Sequence, residues 1–313
     1  MKRKKNLYNN ILSLNNIMYS YNEVQRNTRN ERKKFNMIQY KSMYISRIYN
    51  TLKDKKYKVG EYNKFTIFEP KERLIVSQGI QDKVINHLVA RYILYPALMP
   101  CLIDQNVASR LNLGTKAGIK YEQKFINKCN IKYKSFYVLK GDISKYFASI
   151  NHNILKEKIL KRIKDKDAIK IIFDIIDSNE NGLYIGSMTN QVLAIFYLND
   201  FDHFVKEKLK INYYVRYQDD FLLFNESKEY LKKCLDKIKN FLENEDLKLN
   251  IKTRIYKSTN NFEFLGRNKK AKYIRYRNIG RKIKYKRYLY NSNKICLNSL
   301  CSTLICYEQL LNW

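Results

Sequence analysis

"YVRYQDDFLLF", residues Tyr214 to Phe224, sets two adjacent acids between two runs of aromatic and branched apolar residues. Such runs fit the pleated, half-buried surface of a sheet, so both flanks read as β-strands and the acids as the turn between them. A turn uses Asp readily for its own sake, because the side chain bonds its own backbone. Two acids at a hairpin tip also suit a metal ion, provided a third carboxylate arrives from elsewhere. "LKGDISKYFASINH", residues Leu139 to His152, offers one at Asp142, where an apolar strand ends in an acid and a helical pattern starts. If that strand pairs beside the hairpin, Asp142, Asp219 and Asp220 meet, and uncompensated acids so close raise one another's pKa. Mg²⁺ relieves that repulsion, with Mn²⁺ able to stand in. Two such ions about 4 Å apart activate an attacking oxygen and stabilise a leaving group during in-line displacement at phosphorus. Successive strand side chains face opposite ways, so Asp219 and Asp220 cannot be equal ligands. Asp142 and Asp219 are expected as the main ligands, with Asp220 third.

The rest of the composition agrees with a phosphate-rich partner. Lys and Arg outnumber Asp and Glu by 61 to 29 in 313 residues, a formal charge of +32. A polyanion relieves that self-repulsion, and counterion release from nucleic acid rewards dispersed Lys and Arg. A genome rich in Lys, Asn, Ile and Tyr codons contributes to the bias, but it does not suppress acids. The six cysteines lack CxxC spacing and sit in apolar segments, as buried free thiols do, which predicts a reducing, cytoplasmic home. No apolar run of signal-peptide length follows the basic opening. The stretch from Ile85 to Ile103 contains His87, Arg91, Pro96 and Pro100, so it reads as a buried helix followed by a turn, not a membrane span.

Along the chain, helical spacing recurs from Leu7 to about Lys53, and "YNKFTIFEPKERLIV" gives two β-rich runs around Pro70. A loop, "CLIDQNVASRLNLGTKAGI", enters a helix near Thr115. A strand reaches Ile143, helices run to about Ile176, a loop covers Asn179 to Gly182, and a long helix spans Thr189 to Leu209. After the hairpin, Leu231, Leu235, Ile238 and Leu242 line one stripe of a further helix from about Lys228 to Leu242. Strands packed against helices on one face imply an α+β architecture. "RNKKAKYIRYRNIGRKIKYKR", Arg267 to Arg287, holds 11 basic residues in 21. Its alternation predicts a basic hairpin turning at Gly280, with Arg267, Lys269, Lys270, Arg275, Arg277, Arg281 and Lys282 tracking a phosphate backbone. A solvated charged face is the plainer reading. Leu297, Leu300, Leu304 and Leu311 then recur at helical spacing.

Taken together, these residues resemble the reverse transcriptases, whose palm carries an acid ending one strand and a Tyr-x-Asp-Asp hairpin. "YQDD" from Tyr217 matches the second element and "DISKYF" from Asp142 the first. "PKERLI" is similar to the fingers strand that grips the incoming triphosphate, which implies a role for Lys71 or Arg73. "GLYIGSMTNQ" resembles the glycine-bearing loop and helix start that support the new base pair, implying Ile185, Gly186 and Gln191. "LNIKTRIY" places Lys252 where the family has a lysine thought to protonate pyrophosphate. "FEFLG" resembles the primer grip, implying Phe264, Leu265 and Gly266. Phe147, five residues past Asp142, stands where the family has an aromatic ring that excludes a ribose 2′-OH. The backbone carbonyl of Ile143 joins Asp142, Asp219 and Asp220 in the implied metal set.

The resemblance implies a right-hand polymerase fold in three parts. Residues 1–135 would form fingers with a helical extension, 136–260 the palm, and 261–313 primer grip, basic hairpin and small helical thumb. The implied activity is RNA-directed DNA synthesis from dNTPs through an RNA/DNA hybrid. Ile185 to Gln191 most resembles the diversity-generating retroelement type of the group II intron-like clade, which also includes phage-defence enzymes. Asn190 and Tyr184 depart from that pattern, where Ser and Pro are usual. The first kinship implies a structured template RNA and a small basic accessory protein. The second implies a dedicated non-coding RNA or protein priming. An inactive polymerase fold serving as an RNA-binding scaffold is the reading from another class.

Overall fold

The structure, a computed structural model, describes residues 3–67, 73–268 and 279–311. It contains two compact units, Met1–Asn63 with Val76–Ser258, and Lys64–Ile75 with Thr259–Trp313. The first opens with α1 (Leu14–Asn27), α2 (Glu31–Gln39) and α3 (Lys41–Lys53). Ile17, Tyr21 and Val24, with Met37, Ile48 and Leu52, form their buried stripe, while Arg26, Arg32 and Lys33 stay exposed. Asn30 stops the chain before α2 by accepting from Lys33 N–H, which satisfies one orphan donor of the first turn. β1 (Asn63–Ile67) pairs with β2 (Arg73–Ser77), and most of both strands, Lys64–Ile75, belongs to the second unit. Pro70 and Lys71 lie outside the described residues.

α4 (Ile80–Val89) is the expected buried helix, but the expected break at Pro96 does not occur. A π segment over Ala90–Leu94 leads directly into α5 (Tyr95–Leu98), which carries Pro96 at its start. Pro96 has no N–H to donate, and the bonding just ahead of it is already the wider i→i+5 kind, with Tyr95 N–H donating to the Ala90 carbonyl. Then come α6 (Thr115–Lys132), β3 (Tyr137–Gly141), α7 (Tyr146–Ser149), α8 (His152–Leu160) and α9 (Lys166–Asp177). The single helix expected from Thr189 to Leu209 is divided into α10 (Met188–Tyr197), α11 (Asn199–His203) and a π segment at Phe204–Lys208. β4 (Tyr213–Tyr217), β5 (Asp220–Asn225), α12 (Lys228–Glu243) and β6 (Arg254–Lys257) complete the unit.

Its sheet runs β4-β5-β3-β6, antiparallel throughout. Leu139, Tyr214, Phe221, Leu223 and Ile255 join the core on one face, where α12 packs on β3 and β5. On the other face Phe125 of α6 lies 5.5 Å from Tyr213 and 6.1 Å from Phe224, ring to ring, covering the end remote from the β4–β5 turn. Gly141, the last residue of β3, lies against the Phe221 ring: a Cβ there would sit 2.1 Å from its Cζ. Gly141→Ala is therefore expected to destabilise by about 1–3 kcal/mol through overpacking, read as a lower urea midpoint. Adding Phe221→Leu should recover most of it; an unchanged midpoint in the single variant would refute the packing argument.

The second unit holds β7 (Glu263–Phe264), β8 (Arg267–Asn268), α13 (Ile279–Asn291) and α14 (Leu297–Leu311), with the two helices packed together. Gly280 is not a turn, contrary to the expectation, but lies in the first turn of α13. Lys, Arg and Leu are strong helix formers, and here that propensity outweighs a period-two pattern of Ile and Tyr. Arg281 and Lys282 thus belong to a helix, while Lys269, Lys270, Arg275 and Arg277 lie outside the described residues. Cys129 and Cys234 are buried, as expected, but Cys296, just before α14, and Cys301, within it, are exposed. No helix among the described residues is long and apolar enough to cross a membrane.

Candidate active site

The strand register brings the three acids into one neighbourhood. Gly141 stands opposite Phe221 in the last β3–β5 pair, and Tyr217 opposite Asp220, so Asp142 and Asp220 are the chain neighbours of that last pair, beside the turn that carries Asp219. Asp142 is held from its other side. Asn250 N–H donates to its carbonyl at 2.7 Å, and its own N–H donates to Thr253 Oγ1 at 3.3 Å. Lys252 lies between those two anchors, exposed, in a turn that precedes β6 and not within a strand. Ile143 bridges to Leu249, and Ser144 N–H donates to Lys248 at 2.8 Å, which extends the stitching past the acid.

Arg216 fixes the turn from beneath. Its guanidinium is fully buried, donates to both carboxylate oxygens of Asp202 at 2.6 and 2.7 Å, and gives Nη1–H to the carbonyl of Gln218 at 2.8 Å. Tyr214 Oη and Asn106 Nδ2 also donate to Asp202, at 2.7 and 3.2 Å. Burial works to lower the Arg216 pKa, but the Asp202 carboxylate overrides it and raises it. Beside this pair Tyr146 donates to the Ala194 carbonyl. Burial holds the Tyr146 phenol well above its ordinary value; Arg216 opposes the shift and the nearby charge of Asp219 adds to it. Asp219 is thus electrostatically close to the helix that begins four residues after Asp142. Sequence reasoning missed Arg216 and Asp202. The signal was there: a lone Arg inside an apolar strand needs a buried acid, and α11 supplies one.

Phe147 sits in α7, partly buried against the core, with its ring 5.7 Å from that of Tyr146. Its carbonyl accepts from Leu183 N–H at 2.7 Å. Gly182 makes this contact feasible: its φ is +58°, and a Cβ would lie 2.2 Å from the Phe147 carbonyl oxygen. His152 serves the same loop, with Nε2 2.6 Å from the Gly182 carbonyl. The loop leads on to Ile185, whose carbonyl accepts from Val76 N–H at 3.4 Å, and to an exposed Gly186 with φ 124°. The two departures from the family pattern touch each other: Asn190 Nδ2 donates to the Tyr184 carbonyl at 3.0 Å and to Asn179 Oδ1 at 3.1 Å. Gln191 is exposed on the first turn of α10.

Asp142, Ile143, Phe147, Ile185, Gly186, Gln191, Asp219, Asp220 and Lys252 therefore lie on mutually bonded elements of the first unit. Among the described residues, however, no three Asp, Glu, His or Cys side chains are grouped closely enough to hold one ion. Asp220 lies 3.9 Å from Lys140 Nζ, which balances its charge. The donors are still those a hard cation takes. Mg²⁺ is commonly held by one or two carboxylates, with water and substrate phosphates completing its shell. In the second unit, Phe264 is fully buried at the end of β7, and Leu265 and Gly266 form the turn to β8 with φ 52° and 74°. Two positive φ values are what a type I′ hairpin requires, and Leu pays for it in strain. Arg73 is in β2 and Arg267 in β8.

An antiparallel sheet with an acid ending one strand, two more at the adjoining hairpin, and helices behind it is the palm of a right-hand polymerase fold. More particularly, the chain belongs to the reverse transcriptase (RNA-dependent DNA polymerase) family, which residues 62–268 match. No curated protein sequence is significantly similar to it. Among solved structures it resembles the apo telomerase of Candida tropicalis truncated from its C-terminal domain, with TM-score 0.54 and 18% identity over 70% of this chain and 56% of that one. It also resembles the telomerase of Candida albicans in complex with a TWJ fragment of telomeric RNA, with TM-score 0.54 and 12% identity over 80% of this chain and 55% of that one. The chain thus spans just over half the length of these relatives, and the likeness is one of fold.

Proposed function

We propose that this protein is an RNA-directed DNA polymerase. The observation that supports the proposal is the β3–β5 register, whose last pair, Gly141 with Phe221, is flanked in the chain by Asp142 and Asp220, beside the turn that carries Asp219. Asp142, Asp219, the Ile143 carbonyl and, third, Asp220 would hold two Mg²⁺ ions. Such ions, when bound, activate the attacking 3′ oxygen and stabilise the departing pyrophosphate. Lys252 donates the proton that pyrophosphate needs. Lys71 or Arg73 grips the triphosphate. Gly186, bearing no side chain, lets the new base pair approach the backbone, and Ile185 and Gln191 flank it. Phe264 to Gly266, with the basic residues from Arg267 to Lys282, hold primer and template phosphates. The formal charge of +32 and the RNA in the Candida albicans telomerase structure are consistent with an RNA template.

Primer extension on an RNA template with dNTPs and Mg²⁺ tests the proposal. Templated DNA product supports it, whereas RNA binding without synthesis would favour the scaffold reading. Phe147 supplies a second measurement. Its ring is set by α7 while its carbonyl holds Leu183, so Phe147→Ala removes the ring and keeps the backbone bond. Ribonucleotide insertion should then rise about 10- to 100-fold relative to deoxynucleotide. An unchanged ratio would remove Phe147 from sugar selection.

Within the family we assign the chain to the diversity-generating type, on the Ile185 to Gln191 stretch, with a structured template RNA and a small basic accessory protein as partners. A near-identical template and variable repeat beside the gene would support this. A neighbouring non-coding RNA and protection against phage would point instead to the defence type.

A further inference from the structure

The loop from Leu102 to Gly114 has no role in the reading above, yet it is sewn to the acid-bearing hairpin. Arg216 N–H donates to the Gln105 carbonyl at 3.0 Å and Val107 N–H to the Arg216 carbonyl at 3.1 Å, so the loop lies beside β4 as a short parallel companion. Arg110 Nη1 ties it internally to the carbonyls of Ile103 and Asn106, at 2.8 and 3.0 Å. Ser109 then takes a left-handed conformation, φ 48°, with its carbonyl held by Tyr95 Oη–H at 2.7 Å. Few residues other than Gly adopt that region without surrounding structure to impose it.

The strained backbone aims one hydroxyl. Gln218, the residue between Tyr217 and Asp219, is also left-handed at φ 54°, and its Nε2 donates to Ser109 Oγ at 2.9 Å. Ser109 Oγ in turn lies 3.5 Å from Gln191 Oε1 on α10, a long contact in donating range. Gln218 Oε1 is buried and accepts no hydrogen bond among the described residues, so the Ser109 contact is the side-chain bond that orients this amide. One hydroxyl thus stands between the turn that carries the acids and the helix start proposed to flank the new base pair.

We infer that Ser109 is a positioning residue that sets the Gln218 side chain and couples the acid turn to α10, so that it governs how tightly and how selectively the incoming nucleotide is held. This rests on the polymerase reading. Ser109 is half-buried, and the hydrogen-bond partners of its hydroxyl are the Gln218 and Gln191 side chains. A purely structural role would therefore show in thermal stability, not in nucleotide selection.

The test compares Ser109→Ala, Gln218→Ala and the double variant in single-nucleotide insertion on an RNA template, with correct and incorrect dNTPs. Each single variant is expected to raise the KM for the correct dNTP about fivefold, the scale of one lost hydrogen bond. kcat should move less than twofold, and discrimination against the wrong nucleotide should fall. The double variant should be no worse than either single one, as coupled neighbours require. Normal extension by the parent with unchanged KM and discrimination in Ser109→Ala would overturn this inference alone. So would a fall in melting temperature with no change in KM. No extension by the parent would overturn the polymerase reading and this inference with it.

Discussion

Asp219→Asn is expected to abolish RNA-templated DNA synthesis, by about 10³-fold or more, while leaving RNA affinity within about twofold. The substitution keeps the size of the side chain and removes the charge, so the turn held by Arg216 and the Gln218 carbonyl stays in place. What is lost is a hard anionic oxygen where a divalent cation would sit, and a cation's stabilisation of developing charge is worth several kcal/mol. Each 1.36 kcal/mol is a factor of ten in rate. Asp142→Asn should behave alike, because the strand register places it across the same corner. Asp220 is balanced by Lys140 at 3.9 Å, so Asp220→Asn should cost less. Primer extension beside a filter-binding assay reads both quantities. Equal synthesis by parent and Asp219→Asn would sink the assignment of the acids.

Arg216→Met carries the second large effect, on stability. Removing the guanidinium strands Asp202, a carboxylate with no exposed surface, against Tyr214 and Asn106 alone. Breaking a buried pair from one side costs about 3–5 kcal/mol, whereas replacing both partners by apolar residues is often nearly neutral. Asp202→Leu alone should be as damaging as Arg216→Met, and the double variant should recover most of the urea midpoint. Activity should not return with it. The Gln218 carbonyl would still lack its donor at 2.8 Å, leaving the Asp219 turn without its anchor. A double variant that is both stable and fully active would show that the pair serves the fold and not the turn.

Much of this was legible in the residues themselves. The β-rich flanks of the acidic pair, the amphipathic stripe of α12 and the buried α4 announce themselves by periodicity, and short-range pattern suffices to read them. The departures come where a local rule was overruled by context. Pro96 reads as a stop, yet a π segment absorbs it. The Ile and Tyr alternation after Arg267 reads as a hairpin around Gly280, yet the Lys and Arg between them favour a helix.

The sequence by itself determined that acids end two strands, that a cationic chain surrounds them, and that these elements follow one another in reverse transcriptase order. Only the tertiary structure decided which partners hold those acids still. Register pairs Gly141 with Phe221 and so brings in their chain neighbours Asp142 and Asp220, Asp202 meets Arg216 from a helix, and Ser109 reaches Gln218 from a loop more than 100 residues upstream. The reason is physical. Periodicity reports which side of an element is apolar, but a buried charge or a strained hydroxyl acquires its purpose only from the group that folding brings opposite it.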